Sequence, residues 1–107
     1  MKIAAWNVNS LKVRLPHLLE WLAREQPEVV CLQETKLENH LFPSAALAEA
    51  GYRSACSGQK TYNGVALLAR QEISDVVCGN PHFEDEQKRL IAGTVSGVRV
   101  ISAYVPN

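Results

Sequence analysis

The pattern of apolar and polar positions at the start of the chain predicts a strand, a helix and a second strand. Residues 2–8 form an apolar run of strand length, and residues 28–33 form another. Between the two runs, leucines recur at the three- and four-residue spacing of one helix face, at Leu15, Leu18, Leu19 and Leu22. Such a unit returns its second strand parallel to the first through a right-handed crossover. We therefore expect the two strands to lie side by side in one sheet.

Prolines set the expected limits of this helix. Pro16 favours a helix start near Leu15, because proline is well tolerated in the first helical turn. Pro27 ends the helix, since the residue before a proline is pushed out of the α region. The second strand contains the continuous apolar run Val29-Val30-Cys31-Leu32, which is typical of a central strand covered on both faces.

The remainder of the chain is richer in strands. A short alanine-rich helix is predicted from Pro43 to Ala50, and Gly51 stops it. A polar connection at 58–63 and the pair Ser96-Gly97 each predict a hairpin. The expected strands are 52–57, 64–69, 73–78, 89–95 and 98–105, with a polar loop at 79–88.

Polar side chains follow both predicted parallel strands. Asn7 and Asn9 close the first strand, and Glu34 follows the second. The carboxyl ends of parallel strands meet at one edge of the sheet, where ligands commonly bind. A carboxylate there can hold a hard divalent cation, and an asparagine can orient that ligand or bind a phosphate oxygen. The residues alone leave open a structural alternative, in which Glu34 pairs with Lys36 and the asparagines stabilise turns.

Composition narrows the class of protein. The 107 residues are enough for one domain, and 47% hydrophobic with 21% charged residues is ordinary for a globular protein. Eleven basic and eleven acidic side chains cancel, so any contact with nucleic acid must be local. Three cysteines without C-x-x-C spacing favour a reducing compartment, and we expect a cytoplasmic location. No export signal and no apolar run of membrane length is found, so no membrane partner is expected.

Several strings, taken in order, resemble the exodeoxyribonuclease III family of DNA-repair nucleases. They are W-N-V-N at 6–9, L-Q-E-T-K at 32–36, G-Q-K at 58–60, G-V-A-L at 64–67 and R-L-I at 89–91. The resemblance implies an α/β fold, the N-terminal part of a four-layered αββα sandwich of the endonuclease/exonuclease/phosphatase type, also called DNase I-like. It further implies a mixed sheet with a βαβ start, and residues 1–107 as the N-terminal portion of a single such domain.

The resemblance also implies an activity and a cofactor. Members hydrolyse double-stranded DNA beside abasic sites and from 3′ ends, and they depend on Mg²⁺, with Mn²⁺ as the alternative. By the motif, Glu34 and Asn7 are the expected metal-binding residues, and Asn9 matches a neighbouring position expected to contact DNA. Tyr104, in the string A-Y-V-P, is similar to the active-site tyrosine of the family.

Three further residues are expected to contact DNA by the same resemblance. Arg89 is similar to an arginine near the DNA backbone, and Gln59 and Lys60 lie in a loop of the kind that contacts phosphates. The structural alternative is a solvated basic or polar residue in each case. For Tyr104, the structural alternative is that it is a strand tyrosine with a solvated hydroxyl.

The sequence departs from the family pattern in its acidic residues. The family carries an Asp-x-Asn string, a further aspartate and an Asp-His pair, all expected after Asn107, and Asp75 and Asp85 stand in no such context. We therefore expect the isolated chain to be nearly inactive, since general acid–base help is worth about 10²–10⁴ in rate. We also expect roughly one sheet of strands, with an exposed apolar face that could promote self-association.

Two other functions remain open on the residues alone. Relatives with the same sandwich act on inositol phosphates or phospholipids, and this chain could be a phosphoesterase of that kind. Alternatively, the chain could be a non-catalytic interaction module or a truncated fragment.

Overall fold

A computed structural model of the chain describes residues 1–59, 62–79 and 89–105. It contains seven strands, two α-helices and one short 3₁₀ helix within those ranges. In chain order they are β1 (Ile3–Asn7), α1 (Leu11–Glu25), β2 (Val29–Gln33), the 3₁₀ helix (Asn39–Leu41), α2 (Ser44–Glu49), β3 (Arg53–Ser57), β4 (Val65–Ala69), β5 (Ser74–Cys78), β6 (Leu90–Val95) and β7 (Val98–Ala103). Apart from Gly79, the loop predicted at 79–88 lies outside the described residues.

The strands form two sheets. The first sheet has the order β1-β2-β4-β3, with β1 parallel to β2 and the other pairs antiparallel, so the predicted parallel unit and the mixed sheet are confirmed. The second sheet is an antiparallel arrangement in the order β5-β6-β7. Its β6–β7 hairpin turns at Ser96 (φ 49°) and Gly97 (φ 78°), the pair of positive angles that a tight two-residue hairpin needs.

The first sheet lies between the helices and the second sheet. Residues of alternate parity on β2 and β4 enter two separate apolar clusters, because successive side chains of a strand point to opposite faces. The cluster on the helix side includes Leu18, Leu22, Leu32 and Leu68. The cluster between the sheets, called here the inter-sheet core, consists of Val29, Cys31, Val65, Leu67, Ala69, Ile91, Val95 and Val100. The central position expected for β2 is thereby confirmed.

Helix α1 begins four residues earlier than the sequence predicts. It starts at Leu11 and holds Pro16 in its interior, although proline removes one intrahelical hydrogen bond there. Two features outweigh that loss: Leu11 is fully buried, and its N–H donates to the carbonyl of Thr35 at 3.0 Å. The first turn is therefore stabilised by tertiary contacts that local sequence rules do not include. The predicted end is correct, since the helix stops at Glu25 before a left-handed Gln26.

The expectation of a single sheet's worth of strands is wrong. Strands β5 to β7 supply part of a second sheet, which packs on the inner face of the first, over β2, β3 and β4. The sequence predicts the strands and the hairpin of this region, but alternation of apolar and polar residues does not indicate to which sheet a hairpin belongs. Apolar exposure remains at β1, where Ile3 keeps 48% of its surface accessible and Ala5 is also exposed.

No helix in the described ranges is both long and apolar enough to cross a bilayer.

Candidate active site

The ends of β1 and β2 lie next to each other at one edge of the first sheet. Asn7 and Gln33, the last residues of the two strands, are register partners. Beyond the strands the two chains stay joined: the N–H of Val8 donates to the Gln33 carbonyl at 3.0 Å, and the N–H of Ser10 donates to the Glu34 carbonyl at 2.8 Å. Asn7 and Glu34 are therefore positioned by paired backbones, as the sequence predicts for this edge.

The backbone at this edge is unusual for non-glycine residues. Five of them have positive φ: Asn9 (44°), Ser10 (87°), Glu34 (53°), Lys36 (57°) and Asn63 (58°). Left-handed conformations cost roughly 1–2 kcal/mol for residues other than glycine, asparagine and aspartate, so the cost falls on Glu34 and Lys36, and strain of this kind clusters at functional sites. Here the left-handed conformations allow three loops to converge, since the N–H of Lys36 also donates to the Asn63 carbonyl at 2.9 Å.

A chain of side-chain hydrogen bonds connects the loop after β1 with the loop after β2. The N–H of Asn9 donates to Asn7 Oδ1 at 3.1 Å, and Lys36 Nζ donates to Asn9 Oδ1 at 2.7 Å. Lys36 thus binds Asn9 and not Glu34, and no Glu34–Lys36 ion pair occurs in the part of the chain that the structure describes. Glu34 is half-buried, while Asn7 and Asn9 are exposed.

The second sheet brings Arg89 and Tyr104 to the same region. They flank the open end of the β6–β7 hairpin, where Leu90 pairs with Ala103, and the N–H of Tyr104 donates to the Arg89 carbonyl at 2.8 Å. Tyr104 is half-buried and packs against the inter-sheet core. Because its ring is packed, the position of the Tyr104 hydroxyl is restricted. The hydroxyl of a fully solvated strand tyrosine would not be restricted in this way.

Contacts between the sheets show at which end of β2 this hairpin opens. Cys31 Sγ lies 3.8 Å from the Ile101 carbonyl, and further along both strands in the same direction Gln33 Nε2 donates to Ser102 Oγ at 3.2 Å. Tyr104 follows Ser102 by two residues and so shares its inward face. The tyrosine therefore lies at the Glu34 edge of the first sheet.

The β3–β4 connection borders the same edge. Val65, where β4 begins, is the register partner of both Gln33 and Ser57. Gln59 is half-buried two residues after Ser57, next to Gly58, whose N–H donates to Asn39 Oδ1 at 2.8 Å. Lys60 lies outside the described residues.

Gly64 packs tightly against Thr35 beneath this edge. The N–H of Thr35 donates to the Gly64 carbonyl at 3.2 Å, and a Cβ added to Gly64 would collide with Thr35 Oγ1. That hydroxyl is buried, and within the described ranges it has no hydrogen-bond partner. Gly64 also has φ +94°, so both its conformation and its surroundings require glycine.

The donor atoms at this edge suit a hard divalent cation. Glu34 offers a carboxylate and Asn7 an amide oxygen, both hard oxygen ligands of the kind that Mg²⁺ and Mn²⁺ bind. Asn7 Oδ1 accepts one hydrogen bond from Asn9 and has a second lone pair left. In the described part of the chain no three His, Cys, Asp or Glu side chains come together, and these two donors would not by themselves complete a coordination shell.

The cysteine thiols of the first sheet do not add a nucleophile to this edge. Burial raises the pKa of the Cys31 thiol above its ordinary value, and burial likewise raises the pKa of Cys56, with a smaller effect from Cys78. A thiol is reactive and binds metal as the thiolate, so both groups are held in the inert neutral form at neutral pH.

Three features of the edge were not found from the sequence. The sequence suggests Lys36 as a partner of Glu34, whereas in the structure it is the cation that bonds Asn9. The Gln33–Ser102 hydrogen bond and the Thr35–Gly64 contact depend on residues far apart in the chain. The only sequence signal was indirect, because Gln33, Thr35 and Lys36 stand within the same five-residue string as Glu34.

Comparisons with known proteins identify the family to which this sequence is similar. Residues 4–106 match the model of the Endonuclease/Exonuclease/phosphatase family. Exodeoxyribonuclease III of Haemophilus influenzae is 38% identical over 112 residues, a match that covers 99% of this chain and 42% of that protein.

Solved structures show the same fold. A 3′ phosphatase from Neisseria bound to a product DNA hairpin is 53% identical with a TM-score of 0.94, over 97% of this chain and 41% of that one. An AP endonuclease from Archaeoglobus fulgidus is 42% identical with a TM-score of 0.95, over 99% of this chain and 41% of that one. The fold class expected from the sequence is confirmed, and the chain spans about two fifths of the length of the relatives it matches.

Proposed function

The chain belongs to the Endonuclease/Exonuclease/phosphatase family, and from this premise we propose that the protein containing it is a DNA-repair phosphodiesterase. Its proposed substrate is double-stranded DNA, cleaved at abasic sites and degraded from 3′ ends, with Mg²⁺ or Mn²⁺ as cofactor. The activities of its relatives support this proposal, since these proteins include an exodeoxyribonuclease, an AP endonuclease and a 3′ phosphatase.

One observation carries the proposal: two parallel strands deliver Asn7 and Glu34 to a single edge, where Lys36 and Asn9 are bonded to each other. An acidic oxygen ligand and a fixed cation side by side are what a phosphodiester requires, because its charge must be both bound and neutralised. The strained backbone of Glu34 supports a functional role, since a purely structural turn would seldom retain a left-handed glutamate.

Glu34 and Asn7 would hold the divalent ion, which when bound neutralises negative charge on the phosphate. The reaction is hydrolysis: water attacks phosphorus and the bond to the 3′ oxygen breaks. We assign Tyr104 as a hydrogen-bond donor to a phosphate oxygen, because its ring is packed in place beside this edge. Asn9, Gln59, Lys60 and Arg89 would position the DNA backbone without reading its sequence.

The same proposal includes the activity, the self-association and the location expected of these 107 residues. The 107 residues tested by themselves should hydrolyse DNA far more slowly than the full-length protein, because Glu34 and Asn7 give too few ligands for a complete metal shell. The exposed Ile3 and Ala5 on β1 could mediate self-association of this isolated chain. All three cysteines are free thiols, which supports a reducing, cytoplasmic location.

The decisive experiment uses the full-length protein and a duplex with one abasic site, assayed with Mg²⁺ and again after chelation with EDTA. We expect strand cleavage beside the abasic site and shortening from recessed 3′ ends, both abolished by EDTA. Parallel assays on inositol polyphosphate and on phospholipid vesicles test the other substrates of the fold. Hydrolysis of either of these, with intact DNA, would overturn the proposal.

A further inference from the structure

A hydrogen-bonded pair joins the two sheets directly beneath the candidate active site. Gln33 Nε2 donates to Ser102 Oγ at 3.2 Å, and Ser102 Oγ donates to the Leu32 carbonyl at 2.9 Å. Ser102 is fully buried, and Gln33 is half-buried. The hydroxyl therefore uses both its donor and its acceptor capacity, and it does so across the interface between the sheets.

The pair lies next to both residues that the chemistry needs at fixed separation. Gln33 immediately precedes Glu34, and Ser102 precedes Tyr104 by two residues on the same face of its strand. Glu34 belongs to the first sheet and Tyr104 extends the second, so their separation depends on how the sheets are placed on each other. No covalent or strand-pairing constraint within either sheet sets that separation.

Apolar packing alone does not fix the position of the second sheet on the first. The inter-sheet core is made of aliphatic side chains, whose burial is favourable but not directional. Hydrogen bonds have a narrow range of distance and angle, and a buried one is costly to leave unmade. Sliding β7 along β2 by one residue, a shift of about 3.3 Å, would carry Ser102 out of hydrogen-bonding range of both Gln33 and the Leu32 carbonyl.

We infer that Gln33 and Ser102 are positioning residues, which hold the Glu34 end of the first sheet in register with the Tyr104 end of the second. This inference rests on the proposed function for its effect on activity. Neither residue needs to touch DNA or the metal. Loss of the pair should lower the rate of the chemical step without much change in DNA binding, because a misplacement of about 1 Å can cost 10²-fold in rate.

The test uses the full-length protein with Ser102→Ala, Gln33→Met and the double variant. Gln33→Met removes the donor while keeping a side chain of similar length. Ser54→Ala is the matched control, because Ser54 Oγ bonds Ser44 Oγ at 3.4 Å at an exposed position. For each variant, kcat and KM are measured on the abasic duplex at saturating Mg²⁺. Hydrogen exchange is measured at the amides of Thr35 and Tyr104, which bond Gly64 and Arg89.

We expect each single variant to lower kcat about tenfold with KM nearly unchanged, and the double variant to lose no more than either one, since the two side chains act as a unit. Exchange should accelerate at both amides in these variants, while Ser54→Ala changes neither kcat nor exchange. A merely structural role would lower the melting temperature but leave the kcat of the folded enzyme unchanged.

Three results would overturn the inference: a parental kcat in Ser102→Ala, losses that multiply in the double variant, or unchanged exchange at Thr35 and Tyr104. The proposed function fails in a different way, by absence of DNA hydrolysis in the parent protein. In that case the exchange measurements still decide whether the pair couples the two sheet ends.

Discussion

Lys36 Nζ lies 2.7 Å from Asn9 Oδ1, a hydrogen bond that ties the loop after β2 to the loop after β1. The bond holds a positive charge beside Glu34 without neutralising it, since these two residues form no ion pair in the described structure. A cation fixed in this way can bind a phosphate while the carboxylate remains free to bind metal.

Replacing Lys36 with glutamine should weaken binding of the full-length protein to duplex DNA. One phosphate contact would be lost, so the slope of log K against log salt should become shallower by about 1. Binding is measured by fluorescence anisotropy between 50 and 200 mM salt, roughly the range over which such slopes are resolved. Lys2→Gln is the control, because Lys2 pairs with Glu25 at the opposite end of β1. Equal slopes for the two variants would contradict a phosphate contact by Lys36.

Glu34→Gln should abolish most of the activity by weakening the hold on the metal. The loss at low Mg²⁺ should exceed the roughly 10–100-fold typical of removing an outer-shell partner of a metal. Titration of activity against Mg²⁺, with calorimetry of metal binding, measures the effect. Glu72→Gln is the control, since Glu72 is exposed in the loop beyond the far end of β4. Retention of parental activity at low Mg²⁺ would show that Glu34 is not a ligand.

Tyr104→Phe should lower kcat by about 10²-fold, the cost of losing one donor to charge that develops in the transition state. The ring remains to fill its place against the inter-sheet core, so the unfolding free energy should hardly change. Tyr104→Ala should lower both kcat and stability. Single-turnover kinetics and chemical denaturation separate the two effects, and a phenylalanine variant with parental kcat would remove the phenol from the mechanism.

Gly64→Ala should destabilise the protein through two separable costs. A positive φ costs an alanine roughly 1–2 kcal/mol, and the collision with Thr35 Oγ1 adds an overpacking cost of about 1–3 kcal/mol. Gly51→Ala isolates the first cost, because Gly51 has φ +91° and nothing lies within 4 Å of an added Cβ. Urea denaturation of both variants measures the difference between their free energies of unfolding. Equal losses of unfolding free energy would mean that the structure around Gly64 relaxes to remove the collision at no cost.

Thiol reactivity should follow burial and pH. Burial raises the pKa of the Cys31 thiol above the ordinary 9.0, so native Cys31 should alkylate far more slowly than the exposed Cys78. Because its folded pKa is raised, the stability that Cys31 contributes is complete below the unfolded pKa and is lost as the pH rises from 9.0 through the folded value. Iodoacetamide labelling followed by mass spectrometry, and denaturation series in alkaline buffer, measure the two effects. Faster labelling of Cys31 than of Cys78 would contradict its burial.

Local patterns predicted most of the fold. Alternation, continuous apolar runs and turn residues located all seven strands to within a residue or two at most ends, because these signals act over a few neighbouring positions. They failed at the start of α1, where the buried Leu11 and its bond to Thr35 outweigh the preference of Pro16. They also failed to assign β5 to β7 to a second sheet, since that assignment depends on the packing of distant strands.

The candidate site was predicted in part for the same reason. Parallel pairing alone places Asn7 and Glu34 at one edge, so a βαβ pattern was sufficient. The approach of Tyr104 depends on the sheet-to-sheet contact at Ser102, which no local pattern contains. The Lys36–Asn9 bond depends on positive φ angles at both residues, and for lysine such an angle is uncommon and not predictable from local sequence.

The bond between the Leu11 N–H and the Thr35 carbonyl has a consequence for folding. A segment as short as residues 16–25 is only marginally stable as a helix on its own, and the turn before Pro16 gains its bond at Leu11 only when the chain around Thr35 has arrived. The beginning of α1 and the loop that carries Glu34 must then order in the same cooperative event. Opening of the first turn of the helix would therefore loosen the loop that carries Glu34, and disorder in that loop would in turn release the first turn.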